Sequence, residues 1–271
     1  MIHPAPAKLN LFLHVVGRRP DGYHLLQSVF RFIDYCDELE FETDRSGEVT
    51  LARPIPGIPP ESDLTVRAAR LLQQETGCAL GARIGIEKRI PMGGGLGGGS
   101  SDAATTLMAL DRLWKLDLGR EKLMQIGLRL GADVPVFIFG ESAFAEGIGE
   151  ILTPIRLDPA WYLVLVPPVQ IPTPRIFSDP DLTRDTEPVR MADFPISQRR
   201  NDLQPVACRL YPVVGEYLDW LERHGRSMMT GSGSCVFAEF ASEADARRAY
   251  GELPQGMRGF VAKGLDRHPL N

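Results

Sequence analysis

Hydrophobic and polar positions alternate over residues 8–16, Lys-Leu-Asn-Leu-Phe-Leu-His-Val-Val. Leu9, Leu11, Leu13 and Val15 point one way; Lys8, Asn10, Phe12 and His14 point the other. A period of two marks a strand with one core face, and it sets Lys8 and Asn10 side by side on the second face. Arg18-Arg19-Pro20-Asp21-Gly22 reads as a turn. Further strands are predicted around 28–34 and 38–43, and Pro54 to Pro60 is a proline-rich connector. Leu64, Ala68, Leu71 and Leu72 share one face of a helix predicted over 63–75. A strand near 82–88 then leads into a run of glycines.

From Ser100 the period changes. Ala103, Leu107, Leu110 and Trp114 step by four, three and four, a buried stripe on a helix predicted over 100–116. Ser100 or Ser101 is placed to cap that helix, with Asp102 in its first turn. A second helix is expected over about 120–130, ending at Gly131, and 136–139 reads as a strand. The pattern restarts after about residue 150. A strand near 161–166 precedes a proline- and charge-rich stretch, 167–198. Then come a helix near 202–222, a loop at 230–234, a strand at 235–240, a helix at 242–252 and a last strand near 258–263. These elements do not alternate as a regular βαβ series. The expected class is α+β in two lobes, residues 1–155 and 156–271.

Composition narrows the classes. The chain has 271 residues, 44% hydrophobic and 24% charged, which excludes a disordered, collagenous or disulfide-framework protein. Its 30 basic and 35 acidic residues leave a net charge of −5, so nothing global favours nucleic acid or an anionic membrane. Cys36, Cys78, Cys208 and Cys235 form no C-x-x-C pair, and reduced thiols in a cytoplasmic protein are expected. No apolar run approaches the ~20 residues of a membrane span. Asn10 and His14 interrupt the apolar run after Lys8 and no small-residue cleavage site follows, so no secretory leader is expected. His3, His14, His224 and His268 show no metal-ligand spacing.

The densest chemical signal is Pro91-Met92-Gly93-Gly94-Gly95-Leu96-Gly97-Gly98-Gly99-Ser100-Ser101-Asp102, directly before a helix. Each glycine is entropically costly to order, and a turn needs only one or two. The excess points to backbone that approaches a ligand closely, and amides at a helix N-terminus favour phosphate. Gly93, Gly95 and Gly98 fit G-x-G-x-x-G, but no βαβ unit surrounds them. Gly94 and Gly99 fit G-x-x-x-x-G, but Ser100 stands where a P-loop requires lysine. The missing positive charge must come from elsewhere, with Lys8 and Lys88 as candidates. Ser100 or Ser101 is placed to help hold magnesium, and Ser101 is the one favoured.

Four segments resemble the GHMP superfamily of small-molecule kinases, in family order. They are Pro6-Ala7-Lys8-Leu9-Asn10-Leu11 with Asp21-Gly22-Tyr23-His24; Pro91 to Ala104; Gly131-Ala132-Asp133-Val134-Pro135; and Thr230-Gly231-Ser232-Gly233-Ser234-Cys235. The Lys-x-Asn and Gly-Tyr-His pairing is similar to the branch that acts on 4-diphosphocytidyl-2-C-methyl-D-erythritol. The resemblance implies an S5-domain-2-like N-terminal lobe and a ferredoxin-like C-terminal lobe, with ATP and Mg2+ in the cleft between them. It implies transfer of the γ-phosphoryl group to the 2-hydroxyl of the methylerythritol moiety, in the non-mevalonate isoprenoid route.

The same resemblance assigns roles. Asp133, which by itself also reads as a cap for a short helix at Val134-Pro135, matches the catalytic aspartate. Lys8 stands beside it to orient it and to offset phosphoryl charge, and Asn10 bonds the acceptor hydroxyl. Tyr23 stacks on the cytosine, His24 bonds its edge, Phe177 supplies the second stacking face and Thr173 assists. Lys88 and Pro91 to Ser101 bind ATP, while Gly231, Ser232, Gly233 and Ser234 face the substrate phosphates. Asp63 stands where the family usually has asparagine, and that puts the nucleotide contact in question. Residues 179–198 match poorly.

Overall fold

The structure, a computed structural model, describes residues 1–190 and 199–270; part of the poorly matching stretch, 191–198, lies outside them. β1 (Ile2–Arg18) and β2 (His24–Asp44) form an antiparallel hairpin longer than the pattern predicts. Residues 5–15 are all buried. The two-residue period therefore separates two interiors rather than core from solvent. Ala7, Leu9 and Leu11 enter an apolar core, while Lys8 and Asn10 enter a buried polar one. Phe12, expected beside Lys8 and Asn10, joins the apolar core, because the register shifts between Asn10 and Leu13. The strands predicted at 28–34 and 38–43 are one strand, carried past Asp34 and Tyr35 by a bulge opposite Pro6 and Ala7.

Beyond the hairpin, β3 (Val49–Leu51) runs parallel to β4 (Gly81–Glu87), and β4 pairs antiparallel with β2. α1 (Leu64–Thr76), α2 (Gly98–Leu113), α3 (Gly119–Leu128) and α4 (Val134–Phe139) cover this sheet, with α2 packed on both β1 and β2. Leu72, Leu107, Phe137, Phe32 and Ile84 are fully buried in the core between them. α4 replaces the strand expected at 136–139. A short, wholly apolar run carries no periodicity to tell helix from strand. Pro135 in its first turn and left-handed Gly140 at its end decide for a helix. β5 (Ala143–Glu146) then adds to β2, and β6 (Ile151–Pro154) adds to β5.

The second half is built from β7 (Trp161–Leu165), α5 (Thr173–Phe177), α6 (Gln204–Leu210), α7 (Pro212–Glu222), β8 (Ser227–Met229), β9 (Val236–Phe240), α8 (Glu243–Gly251) and β10 (Gly259–Leu265). The helix expected over 202–222 is divided at Tyr211, because Pro212 cannot continue a hydrogen-bond ladder and instead starts α7. The strands run in the order β10-β7-β9-β8, all antiparallel, which is the ferredoxin-like βαββαβ arrangement. β10 also pairs with β2 through Gly264 and Leu265, joining both halves in one sheet.

Between the halves lies a third core, with Leu9, Ile33, Ile90, Leu96, Tyr162 and Cys235. Leu96 belongs to the glycine loop, and Cys235 follows the second glycine-serine loop. Each loop is thus anchored by a buried side chain in the same core. Burial pushes the Cys235 thiol up to about 12, so it serves as a small apolar anchor and not as a nucleophile. Among the described residues, no helix is long and apolar enough to cross a membrane.

Candidate active site

Two clefts meet at the glycine loop. The larger, about 690 Å³, runs from Lys8 and Asp133 to Tyr23, His24 and Phe177. The smaller, about 400 Å³, is lined by Pro91 to Ser100 with Asp63, Lys88 and Asp102. Gly95, Gly97 and Ser100 line both. A group passed between ligands in the two clefts would cross at this shared wall.

At that wall Lys8 Nζ lies 3.1 Å from Asp133 Oδ2 and 2.5 Å from Asn10 Oδ1. β1 supplies the lysine and the asparagine on one face, and the start of α4 supplies the carboxylate. Asp133 does occupy the position before the helix, but its side chain caps nothing. Its carboxylate is left facing the cleft, 37% exposed, against 3% for the lysine. A lysine this buried needs partners for its charge. Two of its three donors are used on Asp133 and Asn10, leaving one for a ligand. The Asn10 amide also donates to Ser28 Oγ at 2.8 Å, and its backbone N–H donates to Thr230 Oγ1 at 3.0 Å. Asn10 therefore orients Lys8 as much as it faces the cleft. Ser28 and Thr230 were not singled out from sequence; Thr230 stood within a quoted motif without a role.

The glycines meet protein as well as cleft. Gly95 has φ +76°, and a Cβ there would lie 2.1 Å from the Thr230 carbonyl oxygen. Gly97 has φ +72°, and a Cβ there would meet Phe137 at 3.0 Å and the Lys8 stem at 3.1 Å. Cys235 N–H donates to the Gly94 carbonyl at 3.1 Å. Much of the glycine excess thus lets two loops from opposite halves touch backbone to backbone, a use that composition alone did not separate from ligand approach.

α2 begins at Gly98 behind Gly97, earlier than predicted, so neither Ser100 nor Ser101 caps it. The first helical N–H groups have no intrahelical acceptors, and Gly98, Gly99 and Ser100, which carry them, line the smaller cleft. Ser101 is fully buried, its Oγ has no hydrogen-bond partner, and it lines neither cleft. The structure thus sets the Ser101 side chain behind both clefts, away from where a metal or ATP was expected, and Ser100 is the hydroxyl at the wall. Asp102 is also turned inward, not free in a first turn. Its Oδ2 accepts from Lys88 Nζ at 2.6 Å, and Lys88 also bonds Asp37. Burial pushes the Asp102 carboxyl up to about 7, with Lys88 opposing and Asp37 adding to the shift. Burial disfavours the Lys88 charge, yet the two carboxylates outweigh it and raise its pKa. Lys88 lines the smaller cleft, but its charge is already committed, so Lys8 is the cation facing the shared wall.

At the far end of the larger cleft, His24 is 9% exposed and its ring lies 4.9 Å from that of Phe177, tilted by 32°. Tyr23 is 59% exposed on the same cleft. Thr173 Oγ1 is 2.7 Å from Ser232 Oγ, linking α5 to the second loop. Of that loop, Gly231 and Ser232 line the cleft. Gly233 and Ser234, expected to face phosphates with them, are not part of that lining, and Ser234 Oγ donates to the Val169 carbonyl at 2.5 Å. Asp63 caps α1, accepting through Oδ1 from Thr65 and Val66 N–H at 2.9 and 3.3 Å. Among the described residues no cluster of three or more metal-ligating side chains occurs.

Comparisons with known proteins bear on this geometry. Residues 63–141 match the GHMP kinases N terminal domain, and residues 191–259 match GHMP kinases C terminal. A 4-diphosphocytidyl-2-C-methyl-D-erythritol kinase of Nitrosospira multiformis is 62% identical over 99% of this chain and 92% of its own. One from Aromatoleum aromaticum is 59% identical over 98% of this chain and 94% of its own. A crystal structure of 4-(cytidine 5'-diphospho)-2C-methyl-D-erythritol kinase superposes with a TM-score of 0.84 at 35% identity, covering 97% of this chain and 99% of that one.

Proposed function

The chain belongs to the GHMP kinases, in the branch of the 4-diphosphocytidyl-2-C-methyl-D-erythritol kinases, and on that premise we propose how its two clefts carry out the reaction. The enzyme transfers the γ-phosphoryl group of ATP to the 2-hydroxyl of 4-diphosphocytidyl-2-C-methyl-D-erythritol, a step in non-mevalonate isoprenoid precursor synthesis. ATP occupies the smaller cleft, with its phosphates at the N-terminus of α2. The polyol occupies the larger cleft, with its cytosine held by Tyr23, His24 and Phe177. The observation that carries this reading is the Lys8–Asp133 pair, 3.1 Å apart where the clefts share a wall.

Phosphoryl transfer asks mainly for positioning and charge stabilisation. Asp133 is the base within reach of the acceptor hydroxyl. Lys8 orients it, and its remaining N–H meets charge developing on the transferring oxygens. Asn10 holds Lys8 and offers an amide to the acceptor. The N–H groups at the start of α2 cradle phosphate oxygens, while Gly231 and Ser232 approach the diphosphate of the acceptor. Gly233 and Ser234 support that loop from behind.

Magnesium is compatible with these residues. Mg2+ keeps several waters and binds through nucleotide phosphates with one or two protein oxygens. The Ser100 hydroxyl and the half-exposed Asp133 carboxylate are the oxygens available at the wall. When bound, the ion neutralises phosphate charge. We place the enzyme in the cytoplasm as a two-lobe protein dividing near residue 155, in keeping with its free cysteines and with the start of the ferredoxin-like strands at Trp161.

The test mixes the protein with Mg-ATP and the cytidylyl substrate, following ADP release beside phosphorus NMR. ADP matched by a new phosphomonoester, and none with homoserine or galactose, supports the reading. Turnover of a control alcohol in place of the cytidylyl substrate overturns the acceptor.

A further inference from the structure

We infer that Arg184 is a positioning residue that fixes the tautomer of His24, so that this imidazole meets the substrate base as an N–H donor alone. Arg184 Nε donates to His24 Nε2 at 3.1 Å. A guanidinium has donors and no acceptor, so Nε2 must accept. The neutral ring then carries its proton on Nδ1.

The guanidinium is itself held. Nη1 donates to the Leu182 carbonyl at 2.9 Å, and Nη2 donates to those of Phe177 and Asp179 at 3.1 and 2.6 Å. One short segment, 177–184, thus supplies both the ring that packs on His24 and the donor that sets its proton. The charges around the imidazole oppose a second proton. Arg18 approaches from the end of β1 and Arg184 from the segment after α5. The nearby carboxylates are engaged elsewhere, Asp21 with Arg19 and Asp179 with Arg209. Burial, then Arg184, then Arg18 hold the His24 pKa below its usual value.

The consequence for recognition rests on the cytosine assignment given above. Cytosine presents acceptors at N3 and O2, whereas uracil carries a hydrogen on N3. Against N3, a ring locked as a donor suits the first and opposes the second. A neutral ring free to exchange tautomers would present a mixture of donor and acceptor edges.

The test reads histidine ring nitrogens by long-range 1H–15N correlation in the full chain between pH 5 and 8, with His24→Gln to assign the signal. In the wild type the His24 Nδ1 is expected to be protonated and the ring neutral at pH 7. In Arg184→Met the signal moves toward the mixed tautomer, and the ring's pKa rises part of the way toward its usual value, since burial and Arg18 still hold it down. KM for the cytidylyl substrate rises about threefold to tenfold while kcat stays within twofold, the loss of one hydrogen bond. A wild-type ring protonated on Nε2, or a tautomer and pKa unchanged in Arg184→Met, overturns the inference. If that variant does not fold, the wild-type spectrum alone decides. A locked tautomer in a protein that turns over no cytidylyl substrate upholds the role of Arg184 and removes only the cytosine assignment.

Discussion

Lys8 and Asp133 form an unequal pair: the ammonium is enclosed by β1, Asn10 and the Phe30 ring, whereas the carboxylate opens to the cleft. The inequality suits their roles, since the lysine is a fixed positive point and the carboxylate must reach a hydroxyl. It also makes their removal unequal. Asp133→Asn leaves a buried charge short of its counter-charge, while Lys8→Met leaves a carboxylate that water can solvate. Both variants should lose about 10²–10⁴-fold in kcat, the range of a positioned base. ATP binding should be nearly unchanged in both, and Asp133→Asn should show the larger drop in melting temperature. Steady-state kinetics with calorimetry checks this. A kcat within threefold of wild type in either variant removes the pair from the mechanism.

Gly95→Ala should be poorly tolerated. The substitution adds a left-handed backbone penalty to a clash with the Thr230 carbonyl, together about 2–5 kcal/mol. Urea unfolding measures the loss. Because the clash separates the two loops, nucleotide affinity should fall with it; a variant of wild-type stability and affinity would show that the loops do not need this contact.

Asp63→Ala should cost about 1 kcal/mol through loss of the α1 cap, whereas Asp63→Asn should cost little, since the two are nearly equal caps. The capping oxygen explains why aspartate serves at this position. Chemical denaturation of both variants tests it: equal losses in the two would mean that charge, not capping, is what the position supplies.

Acid should loosen the C-terminal tail. Burial lowers the His268 pKa from 6.5 to about 3, with Arg112 adding to the shift. The unfolded chain takes up this proton near 6.5 and the folded chain only near 3. Stability from this group is therefore complete above 6.5 and falls as pH drops below it, by up to about 1.4 kcal/mol per pH unit. His268 N–H donates to the Gly140 carbonyl, and Arg112 donates to the Leu270 carbonyl, so the tail leaves α2 and the end of α4 together. Urea unfolding from pH 7 to 4 should be flatter in His268→Gln than in the wild type; parallel slopes would contradict the assignment.

Local pattern was enough for the helices with one apolar stripe, such as α1 and α2, for the α+β class and for Lys8 and Asn10 sharing a face of β1. The motif segments pointed to Asp133, the glycine loop and the aromatic end of the larger cleft. These are short-range properties: periodicity, spacing and capping residues act within a few positions of each other. Other features depend on chain that returns from far away. Which way Asp102 faces follows from Lys88 and Asp37 lying under α2. The length of β2 follows from a bulge that only its partner strand defines. The four-residue apolar run at 136–139 is a helix because of its neighbours at both ends. Arg184 and His268 carried no local signal at all, since an arginine in a poorly matching stretch and a histidine in a tail look like solvated residues until the fold buries what they touch. Sequence marked the chemistry that is contiguous along the chain; tertiary structure chose which donors, acceptors and charges meet, because burial and hydrogen-bond geometry are properties of pairs brought together in space.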